Sequence, residues 1–296
     1  MEILSWIQQV VAPLWQESWG QRALLAGFLV GLAAPLIGVH LVVRRLSMFA
    51  EALSHLSLVG IAVGLVLEKQ GMRNWIPPTF WGFLTSAAGA WSVERIRRNR
   101  QQAAYPELMI PLLLAAGVGL GAVLLYQGGN IASQASSYLF GGLIAVDRDD
   151  LLLITVATTC TVFFCTFFAK ELFALSFDEE NAILTGVRRG LVHGLLLVIT
   201  ALVVSSSIRV AGILLAPALM VVPVAASLVW GGGFRRVLVR SLFFSELSVF
   251  FGLMVASIWD WPSGGAIALT TVVLFLCMRM IHVGWQWIQQ RLWTKV

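Results

Sequence analysis

Residues 22–43 read RALLAGFLVGLAAPLIGVHLVV, and only Arg22 and His40 in that run carry ionisable side chains. About 20 mostly apolar residues suffice to cross the hydrocarbon core of a bilayer as a helix. Eight further stretches fit the same description: 49–67, 77–94, 108–126, 150–169, 191–208, 211–229, 241–259 and 265–282. Composition points the same way. Of the 296 residues, 58% are hydrophobic and 12% charged, whereas soluble domains carry roughly 25% charged residues. So few charges cannot cover the surface of a soluble fold of this length. The expected fold is therefore all-α, a polytopic membrane bundle of about nine transmembrane helices over 21–283. A cytosolic enzyme, a secreted disulfide scaffold and a disordered chain are excluded. Cys160, Cys165 and Cys277 lie in apolar runs without the CxxC or Cys/His spacing of a zinc site. They read as small lipid- or core-facing residues.

Residues 1–20 differ from the rest. Trp6, Trp15 and Trp19 alternate with Gln8, Gln9, Gln16 and Glu17, the pattern of an amphipathic segment lying at headgroup depth. The basic residues then orient the chain. Arg44 and Arg45, then Arg95, Arg97, Arg98 and Arg100, then Lys170, Arg188 and Arg189, then Arg235, Arg236 and Arg240, and finally Arg279, Arg291 and Lys295 fall on one side. Only Arg22, Lys69, Arg73, Arg148 and Arg209 fall on the other. The positive-inside rule places the N-terminus outside and the tail, 284–296, in the cytoplasm. The net charge of +5 thus belongs to cytoplasmic loops beside lipid and calls for no nucleic-acid partner.

Three stretches are polar where polarity is costly. In Arg44–His55, Glu51 and His55 are four apart and share a helix face. A carboxylate and an imidazole at that spacing suit a divalent transition metal. The plainer alternative pairs Glu51 with Arg44 or Arg45 and leaves His55 as a hydrogen-bonded core residue. In Phe177–Arg189, Asp178 is placed to cap a short helix whose first turn holds Glu179 and Glu180 and which Gly186 ends. This segment, in the connection 171–190, suits docking to a cytoplasmic partner, or is a solvated connector. In Ser205–Gly212 a polar break is expected near the outer face, followed by a helix interrupted at Pro217 and Pro223. Glu246 is a second intramembrane carboxylate, with Arg240 or Ser245 as its plain partner. Glu246, Ser206 and Arg209 are the pathway candidates. His40, His193 and His282 stand alone and read as satisfied or interfacial. Gly27/Gly31, Gly60/Gly64 and Gly117/Gly121 are spaced for close helix packing. No GxxxxGK[ST] run occurs, so the chain has no P-loop of its own.

Taken in order, these stretches resemble the membrane permease subunit of zinc-, manganese- and iron-type ABC importers. The resemblance rests on Val43–Ser47 with Glu51–His55, Tyr138–Gly141 with Leu143–Val146, Ser176–Glu180, Arg209–Leu215 with Pro223–Ala226, and Trp261–Gly264. It covers about 22–282. It implies a homodimer, two copies of a separate cytoplasmic ATPase, and an extracytoplasmic metal-binding protein. It further implies that Glu51 and His55 contact the metal, and that Phe177, Asp178, Glu179, Glu180 and Gly186 belong to the element seated in the ATPase. The family usually has Asp where this chain has the longer Glu51. Leu56 and Val59 stand where a small residue and a proline are usual, and the segment Gln101–Pro106 lacks the common acidic start.

The function expected is uptake of a divalent transition metal, zinc or manganese with iron next, across a bacterial-type inner membrane. The chain would be a transport subunit rather than an enzyme and would bind no permanent cofactor. The alternative is a secondary transporter driven by an ion gradient, motivated by the interrupted helices and Glu246.

Overall fold

The computed structural model describes residues 15–69, 77–98, 109–127, 137–142, 146–213 and 216–293. Among them every long element is a helix. In chain order these are α1 (Ser18–Val43), α2 (Ser47–Lys69), α3 (Pro78–Arg98), α4 (Met109–Gln127), α5 (Arg148–Phe167), α6 (Ala169–Phe177), α7 (Glu179–Leu184), α8 (Arg189–Ala211), α9 (Ala216–Val229), α10 (Phe234–Trp259) and α11 (Ser263–Trp293). Most of the expected interfacial segment, residues 1–14, lies outside the described residues, and Ser18–Gly20 are the first turn of α1.

Among the described residues, seven helices are long and apolar enough to cross a bilayer: α1, α2, α4, α5, α8, α10 and α11. The two remaining stretches of the expected nine fold as helices but fall short of that measure. The apolar run of α3 is broken by Thr79, Thr85, Ser86, Ser92 and Glu94. With 14 residues, α9 spans about 21 Å, less than the roughly 30 Å hydrocarbon core. α11 runs without a break through 284–293, so the expected tail begins as helix.

α1 and α8 form the centre. α8 touches α1, α2, α3, α5, α9 and α11, while α1 touches α5, α9 and α10. Their contact holds the main core, in which Ala26, Val30, Ile37, Leu41, Leu196, Val203 and Val204 are buried. In a membrane such contacts rest on close packing and hydrogen bonds rather than on escape from water. The glycine pairs supply the close packing. Gly60 of α2 meets the Trp81 carbonyl and the Thr85 hydroxyl of α3 where a Cβ would stand. Gly117 and Gly121 seat α4 on His55, Leu56 and Leu58 of α2. Gly27 and Gly31 seat α1 on Val249, Leu253 and Glu246 of α10. Hydroxyls supply the hydrogen bonds: Ser57 of α2, Ser86 of α3 and Ser205 of α8 form a buried chain with oxygens 3.0 and 3.2 Å apart.

That chain corrects one expectation. Ser205–Ala211 is not a break but the buried last turns of α8. Ser206 and Ser207 donate to the carbonyls of Val203 and Val204 in their own helix, and Ser205 is satisfied across helices. The polar atoms are therefore paired without unwinding the backbone. The helix ends one residue later, at Gly212, whose φ of +77° leaves the helical region.

Candidate functional site

α2 begins after a tight turn at Arg44–Leu46. Arg45 takes a left-handed φ of +57°, and the Leu46 amide reaches back to the Leu41 carbonyl at 2.7 Å. Glu51 and His55 follow one turn apart. Glu51 is exposed and His55 half-buried. The His55 Nδ1 is buried without a hydrogen-bond partner among the described residues, so the expectation of a hydrogen-bonded core histidine is not met at that atom among them. Gly117 lets α4 lie directly on the His55 backbone, which fixes where the ring can point. Among the described residues no three His, Cys, Asp or Glu side chains converge. Among the described residues, one copy of the chain therefore offers this pair without a third such ligand converging on it.

Three stretches quoted separately from the sequence meet in a single knot at the α8 C-terminus. The Ile213 amide donates to Tyr138 O at 2.9 Å and the Gly142 amide to Arg209 O at 3.2 Å. The Ser263 hydroxyl donates to Val210 O at 3.0 Å. Gly141 and Gly212, both at positive φ, face each other so closely that a Cβ on either would meet the other's backbone. Gly264 abuts the carbonyls of Ala211 and Phe140 in the same way.

This knot presents Arg209. Its Nε lies 3.0 Å from the Asp150 carboxylate and its guanidinium sits 4.2 Å over the Tyr138 ring. Thr79 donates to Asp150 at 3.3 Å. Burial pushes the Tyr138 phenol up to about 12, so Tyr138 offers Arg209 a neutral ring. Asp150 was not singled out by motif reading, and Tyr138 entered only as the first residue of the Tyr138–Gly141 stretch. Asp150 was the first residue of an expected span, and a carboxylate there was itself a signal. Arg209→Gln strands the Asp150 carboxylate, and a broken buried pair costs about 3–5 kcal/mol. In detergent it is expected to lower the Tm of the purified chain more than the double variant Arg209→Leu with Asp150→Leu. Equal Tm values for wild type and Arg209→Gln would deny the pair its structural role.

At the other end of α8, Asp178 accepts a hydrogen bond from the Asn181 amide at 2.9 Å, capping the short helix α7 as the sequence led one to expect. Glu179 pairs with Arg189. Gly186, at φ +90°, turns the chain away. Leu184 stands 85% exposed and Ile183 is also exposed, so α7 shows an apolar tip on a charged base. Phe177, exposed at the end of α6, packs on Phe173 with ring centroids 4.7 Å apart. Phe234 closes the cluster at 6.1 Å from Phe177 and lies 5.3 Å from the buried His40 of α1.

The expected pathway residues occupy different contacts. Ser206 is bonded within α8 and Arg209 is held by Asp150. Glu246 of α10 lies against Gly31 of α1, with Oε1 buried and unpartnered among the described residues. Its plain alternatives fail there: Arg240 donates instead to Gly231 O at 3.0 Å, and the Ser245 hydroxyl is buried with no partner among the described residues. Of the three histidines read as solitary, His193 is paired with Glu94 of α3 at 2.9 Å deep inside the bundle, and His282 hydrogen-bonds Gln286 at 2.9 Å. Two lone polar residues in two expected spans were the available hint for the first of these.

Similarity to known proteins places this geometry. A probable metal transport system membrane protein of Treponema pallidum is 32% identical over 270 residues, covering 91% of this chain and 98% of that protein. The manganese transport system membrane protein MntC of Listeria monocytogenes is 26% identical, covering 88% of this chain and 90% of MntC. The high-affinity zinc uptake system membrane protein ZnuB of Haemophilus influenzae is 24% identical, covering 86% and 94%. The fold matches PsaBC from Streptococcus pneumoniae, solved in complex with Fab, at a TM-score of 0.80 and 22% identity over 92% of this chain and 95% of that one. Residues 16–282 match the model of the ABC 3 transport family, and the chain belongs to that family.

Proposed function

We propose that this chain is the transmembrane permease subunit of an ABC importer for a divalent transition metal, zinc or manganese with iron next. It would work in a bacterial-type inner membrane with a separate ATPase and an extracytoplasmic metal-binding protein. One observation carries the reading: His55, its Nδ1 buried and unpartnered among the described residues, stands one helical turn from Glu51 in a chain with relatives named for manganese and zinc transport. Neutral imidazole and carboxylate are the ligand types such metals take. One copy supplies two ligands, and a homodimer supplies four. A site shared in this way forms and dissolves as the two copies approach and part, which passage requires. The short, buried α9 and the polar α3 complete nine crossings. The basic loops put the N-terminus and the segment 1–20 outside, and α7 with the tail 284–296 inside. α7, with its exposed Ile183 and Leu184, docks in the ATPase.

The rival is a gradient-driven carrier, favoured by Glu246 and by Pro35 and Pro223 inside α1 and α9. Reconstitution separates the two. Proteoliposomes holding the chain, its ATPase and its binding protein are expected to accumulate radioactive zinc or manganese only with ATP. Metal movement without ATP, or failure of any ATPase to associate, would overturn the importer reading.

A further inference from the structure

A cavity of about 420 Å³ opens at the end of the bundle where α10 turns into α11. Trp19, Phe140 and Trp261 give it aromatic walls and Asp260 gives it a carboxylate, while the backbone at Gly141, Gly142 and Ser263 closes it from behind. Trp259 braces Trp261, with ring centroids 5.1 Å apart.

Asp260 is held in an uncommon way. It caps α10 at φ 53° and ψ 38°, the left-handed conformation, and its amide bonds back to Ala256 O. Glycine is the residue that takes this conformation without strain, and Asp and Asn are among the few others that tolerate it. The chain thus sets a charged side chain where a glycine cap would serve the helix as well. Asp260 is exposed and has no ion-pair partner among the described residues.

A carboxylate framed by aromatic faces suits an organic cation. The ring faces attract a cation within about 6 Å, and the carboxylate adds a charge-assisted hydrogen bond. An anion would be repelled. Among the described residues no group of three His, Cys, Asp or Glu side chains forms here to hold a metal. The back wall belongs to the knot that carries Arg209, so a cation seated here touches the turn bound to the Arg209–Asp150 pair. A lipid ammonium is the weaker candidate, because its own phosphate would face Asp260.

We propose that this cavity receives a Lys or Arg side chain of the extracytoplasmic metal-binding protein. The inference rests on the importer reading above and adds the docking site and its chemistry.

The test measures the affinity of the purified metal-binding protein for the permease–ATPase complex in nanodiscs, at several salt concentrations. Asp260→Asn keeps a side chain that accepts the left-handed backbone and removes only the charge. Trp261→Ala removes the aromatic wall. Both are expected to weaken docking about tenfold, and Asp260→Asn to flatten its salt dependence as well. Retained assembly with the ATPase shows that each variant is folded. Wild-type affinity and salt dependence in both variants would overturn the proposal. So would an effect seen only when the nanodisc contains phosphatidylethanolamine, which would assign the cavity to lipid. Tight wild-type docking without ATP-driven metal movement would reject the importer reading and leave the docking site standing. Normal import with unaltered docking in both variants would reject the docking site alone.

Discussion

His55→Ala and Glu51→Ala are each expected to bring ATP-driven zinc or manganese uptake down to the background of ATPase-free liposomes. Loss of a residue that merely orients a ligand already costs about 10–100-fold in metal affinity. Loss of a ligand itself costs at least that. The packing makes the variants informative. Gly117 lies on the His55 backbone, which alanine leaves in place, and Glu51 is exposed, so neither change opens the bundle. Assembly with the ATPase should therefore be intact while uptake is lost. Glu51→Asp is the gentler probe. It shortens the reach by one methylene and restores the carboxylate usual in the family that the sequence resembles. It is expected to keep transport while shifting the preference between zinc and manganese. Normal uptake in both alanine variants would remove Glu51 and His55 from the metal's route.

The second large effect is expected at the other end of the molecule. Asp178→Arg together with Glu179→Arg should release the ATPase and abolish ATP-driven transport. Each substitution acts through a contact on the page. Asp178 caps α7 through the Asn181 amide, and loss of such a cap costs about 1 kcal/mol, a large share of what holds a six-residue helix in shape. Glu179 holds Arg189, and an arginine there would face Arg188 and Arg189 at the positive end of the helix dipole. Asp178→Asn separates cap from charge, since asparagine caps as well as aspartate. That variant should keep the ATPase bound. Co-purification and ATPase-coupled uptake read both outcomes, and an intact, active complex in the doubly reversed variant would deny α7 the coupling role.

The sequence carried what depends on neighbours along the chain. Apolar runs of the right length located most helices. Small-xxx-small spacing located the contacts at Gly27, Gly60 and Gly117, because a residue without a side chain leaves the same gap whatever approaches it. The Asp178 cap was legible because donor and acceptor are three residues apart. What stayed hidden depends on pairs far apart in the chain. Asp150 read as an expected helix start and Arg209 as an outer-side charge and pathway candidate until the fold set them 3.0 Å apart. His193 looked solitary because Glu94 lies on another helix. The serines at 205–207 looked like a break because hydroxyls favour turns in water. Inside the bundle the same hydroxyls bond their own helix or a neighbour, and the helix continues.

α8 has 23 residues and contains no proline, so it is about 34 Å long at 1.5 Å per residue. Its first residue, Arg189, is tied to Glu179 in α7, and one of its last, Arg209, is tied to Asp150 and through its carbonyl to Gly142 in the wall of the Trp261 cavity. If α7 seats the motor and the cavity seats the delivery protein, the two would sit at opposite tips of one rigid lever. A rocking of about 5° at the motor's end shifts the far tip by about 3 Å, enough to break the Arg209–Asp150 contact. Arrival of cargo outside and arrival of ATP inside would then compete for, or agree on, a single tilt.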